Sequence, residues 1–274
     1  MKYMTFNSSC SYAGIANMLE QYGVDTNDRT IALAIKLPYL FSYCDGIYLS
    51  GPMLQSAEGF NLYLNPIGYE LLEEVISADK IVDYLKSQKT AMLGIKTENT
   101  GKHAVVYTGT ESDRYVFLNN KWEKEDSPCE ICLTEDELKQ RIDAEVVVAT
   151  LQEIAPKYID FTDKLKNSIN ILQANLTDII ELASTEETVA NLRLKLNTLF
   201  RPLFLDGITM LNMIGETMLA QEFENLQQEL LFALRKPPHQ RNCLKKYVFI
   251  SKLQVSAKKY MELIANVTEK TKAE

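Results

Sequence analysis

Histidine is scarce in this chain: 274 residues contain only two, His103 and His239. Any chemistry that needs an imidazole therefore has almost no choice of donor. Cysteine offers little more, since the five residues at 10, 44, 129, 132 and 243 are an odd set without a disulfide framework. Cys129 and Cys132 have the spacing of a metal or redox pair, but zinc would need a second pair or nearby histidines, and neither is present. We therefore expect no metal and no cofactor. No apolar run approaches the length of a membrane span, and Met1–Phe6 lacks the apolar core of a signal peptide. A cytoplasmic protein without a membrane partner is the expectation. Long basic runs are missing too, and 29 Lys and Arg against 37 Asp and Glu leave a net charge of -8, which argues against a nucleic-acid partner. There is no internal repeat and no low-complexity stretch. What remains, 46% hydrophobic and 24% charged residues, is the composition of a globular chain able to bury a substantial core.

The patterning changes once along the chain. Up to about residue 155 helical and strand signals mix. Cys10 opens an amphipathic segment that runs to Gly23, and Thr30–Lys36 reads as a second helix stopped at Pro38. Tyr39–Asn65 mixes aromatics with glycine and reads as loops and short strands that would line a cleft. A short helix over Ser77–Leu85 takes Ser77 or Asp79 as its cap. Strands follow at Ala91–Ile95, His103–Thr108 and Arg114–Asn119, the last two joined as a hairpin. Thr134 and Glu137 form a capping box before a short helix to Ile142, and Glu145–Thr150 is another strand.

After Pro156 strand character almost vanishes. Leu165, Ile169, Leu172, Leu176 and Ile179 repeat at steps of four and three, the signature of a helix face. A second capping box at Ser184–Glu187 opens a helix expected to stop near Pro202. Asp206 caps a short helix through Met218, Phe223–Leu234 marks another, and the last runs from Leu244 to the lysine-rich tail. The expected organisation is an α+β domain over 1–155, helices first and an antiparallel sheet after, then an all-α bundle over 156–274. Five amphipathic helices in so small a unit can leave an apolar face over, which would serve a homodimer.

Three residues of the first half form a chemical set. A helix N-terminus carries partial positive charge and unpaired N–H groups, so a thiol at that place tends towards its nucleophilic thiolate. Cys10 holds that place. His103 opens a strand and Asn119 closes the strand hairpinned to it, with strand alternation putting His103, Val105 and Tyr107 on one face and Tyr115, Phe117 and Asn119 on one face of the partner. Nucleophile, imidazole and a polar group to orient it are the three parts of thiol acyl transfer. Taken singly, each has an ordinary reading: a buried thiol, a satisfied histidine, a turn asparagine beside Asn120. His239, next to Pro237 and Pro238, reads as a surface residue.

The order of Cys10 at a helix start, then His103-Ala104-Val105-Val106-Tyr107, then Tyr115-Val116-Phe117-Leu118-Asn119-Asn120 resembles the papain-like fold in its bacterial form. That form is seen in the double-glycine leader peptidases of bacteriocin exporters and, with a closer likeness, in the N-terminal domain of the butirosin-biosynthesis acyltransferase family. Leu133–Leu138 resembles the short capped helix after the third catalytic residue of these proteins, and the helix starting at Asp206-Gly207-Ile208 resembles the helical region that trails the butirosin-type domain. The resemblance implies a Cys10–His103–Asn119 triad working through an acyl-enzyme, as a cysteine peptidase, amidase or acyltransferase on a peptide, amide or carrier-bound acyl substrate. The peptidases usually carry a glutamine six positions before the cysteine that serves the oxyanion hole. Here that position is Met4, and Asn7 is the nearby polar candidate for the role. The alternative is a catalytically silent papain-like binding module whose bundle docks a carrier protein or other partner.

Overall fold

The computed structural model describes residues 1–97, 101–184, 192–236 and 246–273. The expected capping box at Ser184–Glu187 past its first residue, Val189, His239 with its prolines, Cys243 and Leu244 lie outside the described residues. The chain divides into two compact units, one of Met1–Ile35 with Gln55–Ile159 and one of Lys36–Leu54 with Asp160–Glu274. The change of style near Pro156 thus falls close to a boundary, but Lys36–Leu54, expected in the first domain, belongs to the helical unit.

In the first unit, α1 (Cys10–Glu20), α2 (Asp28–Ala34), α3 (Ala57–Leu64), α4 (Ile81–Ser87) and α5 (Glu135–Arg141) surround a six-stranded sheet. Its strands are β3 (Tyr69–Ser77), β4 (Ala91–Thr97), β5 (Gly101–Glu111), β6 (Arg114–Asn119), β7 (Glu130–Leu133) and β8 (Glu145–Glu153), in the order β3-β8-β4-β5-β6-β7 and antiparallel throughout. An α+β unit with an antiparallel sheet is thus what the mixed patterning builds. Alternation splits the sheet residues cleanly. Leu93, Ile95, Val105, Tyr107, Phe117 and Val148 form a core with Ile81, Leu85 and Leu138 of the flanking helices and Ile142 just past α5. Met92 points the other way, towards α1, whose Tyr12, Ile15, Ala16 and Leu19 are buried without remainder. Burial of this kind is worth about 1.5–3 kcal/mol for each large side chain.

Caps set the helix starts. The Asn27 side chain accepts from Thr30 N at 2.8 Å to open α2, and Ser56 accepts from Gly59 N at 3.2 Å to open α3. The box before α5 closes in both directions, Glu137 N donating to Thr134 Oγ1 at 3.3 Å and Thr134 N to Glu137 Oε2 at 2.7 Å. The expected cap of α4 is corrected: Ser77 ends β3, and Lys80 stands at the N-cap with no side-chain bond. Strands β3 and β7 were not expected. Tyr69–Ser77 carries three glutamates on an edge strand, and Glu130–Leu133 spans only four residues, so neither shows a clear apolar period.

The second unit holds the hairpin of β1 (Phe41–Cys44) and β2 (Ile47–Ser50) with α6 (Thr162–Ser184), α7 (Ile208–Met213), α8 (Thr217–Arg235) and α9 (Lys246–Ala273). The aromatics of the hairpin explain its allegiance: Phe41 packs on Tyr260 edge to face at 5.4 Å, and Tyr48 donates to Asp178 at 2.7 Å. Pro202 does not stop a helix. The chain takes the wider π winding over Leu196–Phe200 and again over Pro202–Gly207, which passes a residue that has no N–H to give the preceding turn. Asp206 is no cap either: it is buried inside the second π segment and accepts from Arg201 Nε at 3.0 Å. The helix after it ends before Gly215, whose φ of +82° suits only glycine at no cost. Among the described residues, no helix is long and apolar enough to cross a membrane.

Candidate active site

Cys10 is the first residue of α1 and is half-buried. The residue before it, Ser9, gives the helix no side-chain cap, and the first turn holds no acidic residue. The positive end of the helix is therefore left to act on the thiol. Ser9 Oγ is spent elsewhere, its one proton shared between Phe6 O at 2.7 Å and Asp28 Oδ2 at 2.8 Å. Asp28, fully buried, also accepts from Thr5 N at 2.6 Å, Thr5 Oγ1 at 2.7 Å and Arg29 N at 2.7 Å. One carboxylate thus pins the whole turn ahead of the cysteine, in which Ser8 takes a left-handed φ of +59°.

His103 and Asn119 meet on one face because of a bulge. The hairpin pairs Glu111 with Arg114 and Gly109 with Val116, across a turn whose Ser112 and Asp113 both have positive φ, as a type I′ turn requires. Continued without interruption, that register would set Val106 opposite Asn119 and turn the asparagine to the far face. The register shifts between Tyr107 and Gly109, leaving Thr108 as the extra residue, so that Tyr107 pairs with Phe117 and Val105 with Asn119. His103 then lies diagonal to Asn119 on the same side, a separation of about 7–8 Å between backbones that two side chains can span.

Asn119 is held from behind. Its Nδ2 donates to Ser127 Oγ at 3.2 Å and to Pro128 O at 2.8 Å. Both amide hydrogens are thereby used, and Oδ1 is left as the acceptor. The loop supplying these partners is folded by the buried Lys121 ammonium, which donates to Glu125 O and Ser127 O.

The electrostatics tie the thiol to the ring. Burial pushes the Cys10 thiol up, but the His103 ring, the Ala104 backbone N–H and Ser11 outweigh it and hold the thiol below its ordinary pKa. For His103 burial pulls downward, while Cys10, then Asn119 and Glu125, lift it above the ordinary imidazole value. Both shifts act in the direction that favours the charged forms, thiolate and imidazolium. The buried Nε2 of His103 has no hydrogen-bond partner; hydrogen bonds of such rings often close only when substrate is bound.

A cavity of about 240 Å³ opens over these groups, lined by Cys10, His103, Gln55, Phe60, Glu73 and Lys102 among others. Asn7, expected to serve the oxyanion, is exposed on the turn before Cys10 and is not among the lining residues. Gln55 stands there instead: Ser11 Oγ donates to its Oε1 at 3.0 Å and its Nε2 donates to Ser8 O at 3.2 Å. One amide thus grips the chain on both sides of the nucleophile. Its place in sequence, 45 residues from Cys10 and beside the Ser56 cap, carries no signal that could have found it. Of the aromatics between Tyr39 and Tyr63, only Phe60 reaches this cavity.

Cys129 and Cys132 are exposed at β7, with Cys129 Sγ 3.9 Å from Tyr3 Oη; among the described residues no three His, Cys, Asp or Glu side chains gather as a metal site would. A roomier recess of about 400 Å³ lies in the second unit between α8 and α9. It is lined by the ion pairs Lys252–Glu229 at 3.0 Å and Lys259–Glu222 at 2.5 Å and has neither thiol nor imidazole.

No family model matches the chain, and no curated protein is similar to it at a significant level. Among solved structures it is similar to the peptidase domain of Streptococcus ComA, a bifunctional ABC transporter involved in a quorum-sensing pathway. The identity is 12% and the TM-score 0.38, over 54% of this chain and 95% of that one.

Proposed function

We propose that the chain is a papain-like thiol enzyme that transfers acyl groups through Cys10. The observation that carries this reading is the placement of Cys10 at the uncapped start of α1, in one cavity with His103, whose strand face the bulged register gives to Asn119 as well. In the proposed reaction the Cys10 thiolate attacks the carbonyl carbon of a peptide, amide or carrier-bound acyl substrate. The oxyanion forms beside the Cys10 backbone N–H, with Gln55 the side-chain amide placed to assist. The His103 imidazolium gives its proton to the leaving group as the carbon–leaving-group bond breaks, and Cys10 keeps the acyl group as a thioester. His103, now neutral, takes a proton from water or from an amine as either attacks, returning hydrolysed or transferred product and a free thiol. Asn119 Oδ1 orients the ring. The second unit would bind the substrate's carrier or a second copy of the chain.

A test needs no knowledge of the natural substrate. The protein is incubated with a small activated thioester, and its mass is followed. The reading expects an acyl adduct on Cys10 that is absent in Cys10→Ser and at least tenfold slower to form in His103→Ala. Adducts spread over all cysteines alike would refute it. The catalytically silent alternative draws on one observation, the unpartnered Nε2 of His103, and it expects that even spread.

A further inference from the structure

Asn120 follows Asn119 and does something different. β6 ends at Asn119, whose N–H donates to Cys129 O on the β7 side at 2.8 Å. Successive residues of a strand point their N–H and C=O groups to alternate sides, so Leu118 faces β5, and across the ladder its partner Val106 faces β6. Ala104, two residues before Val106, faces the same way, towards a place that β6 has already left. Its backbone groups would be orphaned there, which a buried site does not tolerate. The Asn120 side chain fills the gap: Nδ2 donates to Ala104 O at 2.9 Å, and Oδ1 accepts from Asn17 Nδ2 at 2.9 Å. Asn17 in turn donates to Lys2 O at 3.0 Å and accepts from Lys2 N at 2.6 Å. Both asparagines are fully buried. A side chain on Gly14 would meet Asn120 Nδ2 at 2.8 Å, so α1 has a glycine where the amide passes.

We propose that Asn120 is a positioning residue for the nucleophile, tying the backbone of Ala104, which lines the same cavity as Cys10, to Asn17 of α1 so that the Ala104 N–H stays turned towards the thiol. The assignment rests on the thiol-enzyme reading. It separates the two neighbouring asparagines by role: Asn119 acts on the imidazole and Asn120 on the strand that presents the thiol with a donor. The other groups around Cys10 are His103, Ser11 and Gln55, with Glu73 and Lys102 lining the same cavity and Glu125 acting on His103.

The test is alkylation by iodoacetamide as a function of pH, read on the Cys10 peptide by mass spectrometry, in the wild type, Asn120→Ala and Asn120→Asp. Asp keeps the acceptor for Asn17 and loses the donor to Ala104. Both variants are expected to show the Cys10 profile moved to higher pH, with the rate at pH 6 falling about tenfold, one pKa unit, and the rate at pH 9 nearly unchanged. A purely structural role would lower the melting temperature and leave the profile in place; that result in a folded variant overturns the assignment. Should neither variant fold, the wild type decides. The Ala104 amide proton must shift in step with Cys10 ionisation in an NMR titration, and a flat Ala104 signal overturns the assignment while leaving the enzyme reading standing. A wild-type Cys10 with the profile of the exposed cysteines refutes the parent reading, and this one with it.

Discussion

Replacing Gly14 by alanine sets two effects of opposite sign against each other. In an exposed helix interior the change stabilises by about 1 kcal/mol, because glycine leaves the unfolded backbone too free. In α1 the added Cβ would stand 2.4 Å from Met92 Sδ and 2.8 Å from Asn120 Nδ2. The methionine can swing aside, at a cost of about 1 kcal/mol for disturbed packing. Asn120 cannot, since it is fully buried and held at both ends. Moving it loosens two buried hydrogen bonds at about 1–3 kcal/mol if a partner is left unsatisfied. The clash outweighs the propensity gain, and Gly14→Ala should destabilise the protein by about 1–3 kcal/mol. Urea unfolding followed by tryptophan fluorescence or circular dichroism measures this. A variant more stable than wild type would show that the contact with Asn120 is loose and would refute the packing argument.

Three other perturbations have definite expectations. Asp28→Ala removes the acceptor of three hydrogen bonds from the turn before Cys10 and of one from Arg29 N and should cost about 3 kcal/mol or more in denaturant unfolding; a loss below about 1 kcal/mol would contradict the anchoring role. Thr134→Ala breaks the capping box of α5 and should cost about 1 kcal/mol, checked by the same unfolding curves. Asp206 is driven by burial from 3.8 up to about 6, against the pull of Arg201. With the folded-state value the higher one, the native protein holds a proton that the unfolded chain has lost. Its contribution is full below the unfolded value and is lost as pH rises through about 6, on the order of 3 kcal/mol in all. Asp206→Asn should flatten that decline in melting temperature between pH 4 and 6.5, and an unchanged decline would assign it to other groups.

Residue pattern made some of this architecture legible and hid the rest for physical reasons. Cys10 and Asn119 could be picked out because each sits at an element boundary, where helix starts and turn residues leave a mark, and His103 because a β-branched run follows it, although β5 starts two residues earlier. That His103 and Asn119 share a face depends on the bulge at Thr108, and a single unpaired residue leaves no periodicity to read. The grip of Gln55 on Ser8 and Ser11 is a contact between segments distant in the chain, visible only once α3 is placed. Asn120 looked like a turn partner of Asn119, since a buried amide and an exposed one are the same letter. The edge strand β3, with three glutamates, lacks the apolar alternation of a half-buried strand. The Phe41–Ser50 hairpin has aromatics that suit either unit, and only their partners Tyr260 and Asp178 decide. Pro202 was misleading because the rule for proline in an α-helix does not govern a π winding.

Whether Cys10 and His103 share their proton as thiolate and imidazolium is read from the pH dependence of Cys10 alkylation in the wild type and in His103→Ala. The thiol is held below its ordinary value and the ring above its own. The wild-type rate should therefore rise at a pH below that of the exposed Cys44, Cys129 and Cys132, and His103→Ala should move the rise back up towards theirs. Coincident profiles for Cys10 and the exposed cysteines, unchanged by His103→Ala, would contradict the account.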